Sequence, residues 1–243
     1  MKRMFLLTAV TFIFVSSTSH AGFMDNLTRE LVPAARQSSL DDGTIAKGLK
    51  EALATGTERA VKEVARTDGY FGNQLIRILL PEKVQQVANV LSRIGYQQEV
   101  DSFVISMNRA AEKAAPKAAG FFGDAIRKMS LEDARAILSG DDTTATRYFE
   151  KHTRPGLYNA FKPVVVNSME QVGTARAYKN MIGRYEGNPL ASLTGAPDLD
   201  LNSYVTNKAL DGLFKMVGEE EKKIRSNPAA RSTELLRKVF GGK

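Results

Sequence analysis

The sequence contains no cysteine and only two histidines among its 243 residues. The absence of cysteine excludes disulfides, thiolate nucleophiles, zinc fingers and iron–sulfur clusters formed by this chain. His20 lies in a segment that we expect to be removed, so His152 is the one imidazole of the mature chain. A site of several histidines is therefore excluded within one mature chain, and a Ser–His–Asp triad could use only His152. We expect no metal and no cofactor.

Long apolar runs are scarce as well, and the clearest one lies at the N-terminus. Lys2 and Arg3 precede an apolar run from Met4 to Val15, and the small residues Ser19 and Ala21 suit a cleavage site. This pattern is typical of a secretory signal peptide, whereas a membrane anchor needs about 20 apolar residues. We therefore predict cleavage after residue 21 and a periplasmic mature protein that does not span the membrane.

The charge balance says little about the partner. The formal charge is +7, and it falls to +5 once Lys2 and Arg3 are removed with the leader. A surplus this small favours anionic partners in general and does not indicate a nucleic-acid binder. We predict no nucleic-acid partner. The hydrophobic fraction of 43% is that of an ordinary globular protein.

Apolar residues recur at helical spacing along most of the mature chain. The clearest predicted helix covers about 97–115, where Val100, Phe103 and Met107 share one face. Pro116 is predicted to kink or restart this helix. Pro81 and Gly95 are predicted to bound another helix, with Val84, Val87, Leu91 and Ile94 on its inner side. The sequence thus predicts an all-α protein: a signal peptide (1–21), an N-terminal arm (22–38) and a single multi-helix globular domain of nine or ten helices (39–243).

Several shorter features complete the prediction. Ser130 is predicted to cap a short helix that ends at Gly140, and separate helices are predicted through Phe149 and over 164–172. His152 is placed at a helix end, where its cation would favour the helix dipole. Residues 76–80 are predicted to be a short extended piece. The stretch 187–200 is predicted to be a linker or a lid.

Five strings of the sequence resemble one bacterial family. They are GLKEAL (48–53), DGYFGN (68–73), MNRAAEKAAPKA (107–118), SLEDARAILSGDDTTATRYF (130–149) and YVTNKALDGLFKMVGEEEKKIRSNPAARSTELLRKVFG (204–241). The family is domain of unknown function 4197, and the resemblance extends over about 40–241. It implies an exported protein of Gram-negative bacteria with one helical domain. It implies no activity and supplies no catalytic residues.

A polar stripe on the 97–115 helix is the candidate ligand-binding site. Asp101, Asn108 and Glu112 lie at i, i+7 and i+11, and therefore on one side of the helix. The two carboxylates would lie about 16 Å apart, too far for the acid–base pair of a glycosidase. Arg109 and Glu112 fit an ordinary surface ion pair, or they bind a polar ligand together with Asn108. The candidate ligand-binding residues are Asp101, Asn108, Arg109 and Glu112.

The C-terminal segment from residue 222 is rich in positive charge. We expect Glu219 to pair with Lys223 at i+4, which fits a solvated helix end with ion pairs. The alternative is that this segment docks on an anionic lipid surface or another envelope component. The candidate residues for that contact are Lys222, Lys223, Arg225, Arg231, Arg237 and Lys238.

Two classes of function follow from these patterns. Signatures of nucleotide binding, esterases and zinc proteases are missing from the sequence. We therefore favour an exported helical protein that binds a protein partner, an envelope component or an apolar ligand without catalysis. The alternative is a hydrolase of envelope polymers whose carboxylates meet in the fold, for example those of Asp68, Asp101, Glu112 or Asp133. The oligomeric state stays open.

Overall fold

The computed structural model describes residues 41–171, 173–186 and 200–227, which all belong to one compact unit, Asp41–Lys243. These described residues form eight α-helices and one 3-10 helix, and they contain no β-strand. The helices are α1 (Asp42–Ala65), α2 (Glu82–Arg93), α3 (Gln97–Ala114), α4 (Ala118–Lys128), α5 (Leu131–Ser139), α6 (Thr144–Gln171), α7 (Thr174–Glu186) and α8 (Leu201–Ser226). The 3-10 turn Ala115–Lys117 joins α3 to α4. The all-α class is confirmed.

Side chains of the sequence explain several helix boundaries. The Ser130 hydroxyl accepts the Asp133 amide, and the Asp133 carboxylate accepts the Ser130 amide, so α5 begins with a capping box. Asp200 accepts the Ser203 amide in the same way at the start of α8. Pro116 lies in the 3-10 turn that ends α3, as the sequence predicted. The short helix from Ser130 to Gly140 is confirmed.

The prediction of nine or ten helices is not matched by the described residues. The separate helices predicted through Phe149 and over 164–172 are one continuous helix, α6, which runs through Pro155 and Pro163. Each proline removes one helical hydrogen bond. Apolar side chains nevertheless continue at helical spacing across both prolines, and Leu157, Phe161 and Val165 are fully buried. Their burial offsets the lost hydrogen bonds and keeps the helix continuous.

Two local predictions are also wrong. His152 lies inside α6 rather than at a helix end, and its ring stacks beside Tyr148 with centroids 4.5 Å apart. Ile94 is 46% exposed rather than on an inner face, because α2 ends one residue earlier and Ile94 is its C-cap. Gly95 adopts a φ of +94°, which fits the predicted stop.

Some predictions lie outside the described residues. They are the signal peptide, the N-terminal arm, nearly all of the 187–200 stretch and the final helix. No described helix is both long enough and apolar enough to cross a membrane.

The core of the described unit forms around α8. This helix packs against α6, α1 and α3, and α3 in turn packs against α6 and α7. Along α8 the buried residues Val205, Ala209, Leu213 and Val217 recur at the spacing of one helix face. The connection from α1 to α2, residues 66–81, contributes Tyr70 to this core. Hydrogen bonds join the connection to α3 and to α8.

Candidate functional site

Tyr70 anchors the α1–α2 connection in the core. Its side chain is fully buried, and its hydroxyl donates to the Ala209 carbonyl of α8 at 2.6 Å. Burial raises the pKa of Tyr70, so the ring keeps its proton well above the usual range. The ring lies on Gly212, where a Cβ atom would stand 2.6 Å from the Tyr70 Cε1 atom. Only glycine leaves room for this close approach.

Glu112 of α3 holds the backbone beside Tyr70. Its Oε1 atom accepts the amides of Tyr70 and Phe71 at 3.1 and 3.3 Å. Its Oε2 atom lies 2.7 Å from Nη1 of Arg109, and only 5% of the Glu112 side chain is exposed. The carboxylate therefore satisfies loop amides that no helix or sheet pairs, and Arg109 balances its charge.

Asp68 stands at the strained point of the connection. It is the one non-glycine residue with positive φ, +63°, among the described residues. Such a conformation costs about 1–3 kcal/mol and persists only where the surrounding structure holds it. The second nitrogen of the Arg109 guanidinium, Nη2, bonds Asp68 at 2.7 Å. Arg109 thus links Asp68 to Glu112 and offsets part of the strain.

Asn108, one turn before Glu112, fixes the end of the connection. Its Oδ1 atom accepts the Ile78 amide at 2.8 Å, and its Nδ2 atom donates to the Ile78 carbonyl at 2.9 Å. The same Nδ2 also donates to Val104 in its own helix. Asn108 is fully buried, so these hydrogen bonds replace the ones that its amide would make with water. We call Asp68, Tyr70, Asn108, Arg109 and Glu112 together the lock.

The outer side of the locked connection is apolar and cationic. Leu75 is 66% exposed and Leu79 is 61% exposed, the two largest values among the large apolar side chains described. Arg77 lies between them in sequence, and its guanidinium lies over the Phe71 ring, 4.1 Å from the ring centroid. We call Phe71, Leu75, Arg77 and Leu79 the loop face.

Three of the four predicted ligand-binding residues meet in the lock, and the fourth does not. Asn108, Arg109 and Glu112 hold the α1–α2 connection, whereas Asp101 is exposed and accepts a hydrogen bond from Gln97 at 2.8 Å. The polar stripe is therefore not a cleft, because the connection covers its C-terminal part. The predicted ion pair of Arg109 and Glu112 at i, i+3 is present, but its predicted surface location is wrong, since Glu112 is buried.

The basic C-terminal segment is described only up to residue 227, so Arg231, Arg237 and Lys238 lie outside the described residues. Arg225 is only 11% exposed; it bonds Glu221 and the Ile137 carbonyl, and little of it is left for a surface contact.

The lysines of this segment differ from the expected pairing. Lys222 is exposed, and Lys223 pairs with Glu220 at 2.6 Å. Glu219 instead pairs with Lys215, so the expected pair of Glu219 and Lys223 is wrong. Glu219 and Glu220 therefore each pair with a lysine of α8 itself.

Glu221 is a structural residue that the sequence analysis missed. Its buried carboxylate accepts the amides of Ala145 and Thr146 at 2.9 Å each, so α8 caps the N-terminus of α6. Anions are favoured at that end of a helix. Three successive glutamates suggest side chains exposed to solvent. The apolar spacing of α8 instead turns Glu221 toward the start of α6.

The described residues also form a groove between α6 and α8. Its volume is about 500 Å³. Arg154 bonds Glu150 at 2.8 Å and Asp211 at 2.5 Å, and it joins the two helices there. Because these charges satisfy one another, the groove presents few unpaired groups to a ligand. Within the described part of the chain, no group of three or more acidic or histidine side chains could hold a metal ion.

Comparison with known proteins gives one finding. The family model described as protein of unknown function (DUF4197) matches residues 39–241. No curated protein and no solved structure matches the chain.

Proposed function

The chain belongs to the DUF4197 family of proteins of unknown function. We propose that it binds a protein partner through the loop face without catalysis. One observation carries the proposal: two exposed leucines stand on a connection that five buried or charged side chains hold in place. In the isolated chain most of the apolar surface of Leu75 and Leu79 stays in contact with water.

The energetics favour a binding role for this surface. Burying a leucine side chain contributes about 1.5–3 kcal/mol, so two exposed leucines forgo a useful part of that. A connection that is already held in one conformation loses little entropy when a partner docks, which improves affinity. Arg77, which lies between the leucines in sequence, adds a cation that is held over Phe71. Exposed apolar side chains accompanied by an arginine are typical of a protein-binding surface.

We place this partner in the periplasm. The proposal rests on the leader pattern of residues 1–21, with its basic start, its apolar run and its small residues before the cut. A membrane-bound envelope protein or another exported protein both fit this location. A lipid or another apolar ligand on the two leucines is a different outcome that the experiment below distinguishes.

The hydrolase alternative also has one observation in its favour. Arg109 brings Asp68 and Glu112 together from the α1–α2 connection and α3. However, both oxygens of Glu112 already bond protein donors, which leaves neither for a substrate. Asp133 belongs to the capping box of α5, and Asp101 is away from the lock. A hydrolase predicts that Asp68→Asn abolishes release of fragments from purified cell-wall sacculi.

Site-specific photo-crosslinking in the producing cells tests the binding proposal. A photoreactive phenylalanine analogue replaces Leu75 or Leu79, and the same analogue at Leu131 serves as the control, because Leu131 is 53% exposed on α5. We expect one protein, identified by mass spectrometry, to be attached at both loop-face positions and absent at Leu131. Lipid adducts alone, or the same products at all three positions, would overturn the proposal.

A further inference from the structure

Residues 77–80, at the end of the α1–α2 connection, lie outside any helix or turn, and Asn108 pairs one side of them. A single amide side chain, that of Asn108, bonds both the N–H and the C=O of Ile78. In extended backbone these two groups of one residue point the same way, so Asn108 occupies the place of a neighbouring strand. Pro81 follows with φ −58° and ψ 145°, and a proline favours extended backbone in the residue before it.

The other side of this segment offers one acceptor and one donor. In extended backbone the polar groups of Arg77 and Leu79 point away from those of Ile78. Within 41–171, 173–186 and 200–227, neither the Arg77 carbonyl nor the Leu79 amide has a hydrogen-bond partner. The Leu79 carbonyl accepts the Tyr204 hydroxyl at 2.9 Å, and the Arg77 amide donates to Asn73. An added strand could bond the open carbonyl and the open amide together.

Side chains beside this open side indicate the chemistry of the added strand. Arg77 and Leu79 alternate with the buried Ile78, so they lie on the outer surface. Among the described residues Arg77 contacts the Phe71 ring and has no carboxylate partner. An acidic residue on the partner would supply that missing charge, and an apolar neighbour two positions along would cover Leu79.

A second copy of this chain fits the open side less well. Two copies related by a twofold axis through Ile78 would also pair the open carbonyl and amide, as antiparallel strands. In that arrangement Arg77 would lie directly opposite Leu79 of the second copy, and the two Arg77 side chains would be diagonal neighbours on one surface, about 7–8 Å apart. The two cations would repel each other and neither would gain a carboxylate, whereas a carboxylate opposite Arg77 is favourable. The charge therefore favours a different chain as the occupant.

We propose that the partner contributes an extended segment, with a carboxylate flanked at alternate positions by apolar side chains, which pairs as an added strand with Arg77–Leu79. This inference rests on the proposed function, because it specifies how the partner occupies the loop face. Main-chain bonds to Arg77 and Leu79 give the segment its register. The carboxylate meets Arg77, and the apolar side chains cover Leu75 and Leu79.

The test measures how tightly the full mature chain binds a capped, dye-labelled peptide with the core Leu-Thr-Glu-Thr-Leu. Binding is read from the fluorescence anisotropy of the dye. Leu79→Pro removes the open amide while keeping extended backbone, and Leu79→Ala is the matched control for the lost side chain. We expect Leu79→Pro to weaken binding about five- to tenfold more than Leu79→Ala, as the loss of one backbone hydrogen bond predicts. Circular dichroism checks that both variants keep the fold.

A second pair of measurements tests the carboxylate. Arg77→Glu should weaken binding of the glutamate peptide about tenfold, and a peptide with lysine in place of glutamate should restore binding to that variant. Equal binding by Leu79→Pro and Leu79→Ala, or no peptide binding by the unchanged chain, would overturn strand addition. A chain that dimerises through Leu79 in sedimentation would overturn it as well. In each case a crosslinked protein at Leu75 would still support the proposed function.

Discussion

Gly212 offers a sharp test of how Tyr70 is held. In the interior of a helix, glycine to alanine usually stabilises a protein by up to about 1 kcal/mol. At Gly212 the new Cβ atom would lie 2.6 Å from the Tyr70 ring and 3.1 Å from the Ile76 Cβ atom. The ring cannot turn aside freely, because its hydroxyl bonds Ala209. Overpacking of this kind costs about 1–3 kcal/mol.

Gly218 is the matched control, since it lies in the same helix. A Cβ atom there would meet nothing closer than the Thr146 hydroxyl oxygen at 3.5 Å, an ordinary contact. Helix propensity is the same for both changes, so it cancels in their difference. We expect Gly218→Ala to be stabilised, and Gly212→Ala to be less stable than Gly218→Ala by about 1–3 kcal/mol.

Urea unfolding followed by far-ultraviolet circular dichroism measures this difference. With an m-value of about 2 kcal/mol/M, the two midpoints should differ by about 0.5–1.5 M. The m-values should agree, which shows that the native state stays equally compact. A midpoint for Gly212→Ala at or above that of Gly218→Ala would mean that Tyr70 is not fixed against α8.

Three further predictions concern other parts of the structure. Burial raises the Tyr70 pKa above its unfolded value, so the stability that the protonated ring contributes is complete below about pH 10 and declines as the pH rises beyond that. In unfolding measured against pH, Tyr70→Phe should therefore lose less stability at alkaline pH than the unchanged chain. An unchanged profile would contradict the buried, protonated state of Tyr70. Glu221→Gln should lower the unfolding free energy by about 1–3 kcal/mol, because Arg225 loses its carboxylate. Glu219→Gln, which removes a solvent-accessible ion pair, should change the unfolding free energy by less than about 0.5 kcal/mol. Equal effects of the two changes would refute the capping role of Glu221. If the basic C-terminal segment docks on lipid, vesicles with phosphatidylglycerol should sediment the protein at low salt and neutral vesicles should not.

Much of the fold could be predicted from the sequence because local signals set it. The Ser130 cap, the Pro116 break and the Gly95 stop act within a few residues, and each is found where it was predicted. The continuity of α6 could not be predicted from its prolines, because burial across the whole helix outweighs their local cost.

The site was only partly predictable for a physical reason. Asn108, Arg109 and Glu112 were recognised as a polar group on one helix, but their partners Asp68, Tyr70 and Ile78 come from a distant part of the chain. Sequence spacing gives no information about which segment covers a helix face. Polar residues buried at i and i+4 in an apolar surrounding are the signal that could have indicated a covered stripe.

If the lock holds the loop face in the conformation that binds the partner, loosening the lock should lower the crosslink yield at Leu79. The photoreactive residue is placed at Leu79 in two backgrounds, Glu112→Gln and Glu221→Gln. Both remove a buried carboxylate that bonds two amides and an arginine, but only Glu112 holds the α1–α2 connection. At equal amounts of folded protein we predict that Glu112→Gln loses most of the crosslinked partner while Glu221→Gln retains it. Equal yields in the two backgrounds would mean that the lock does not support the loop face.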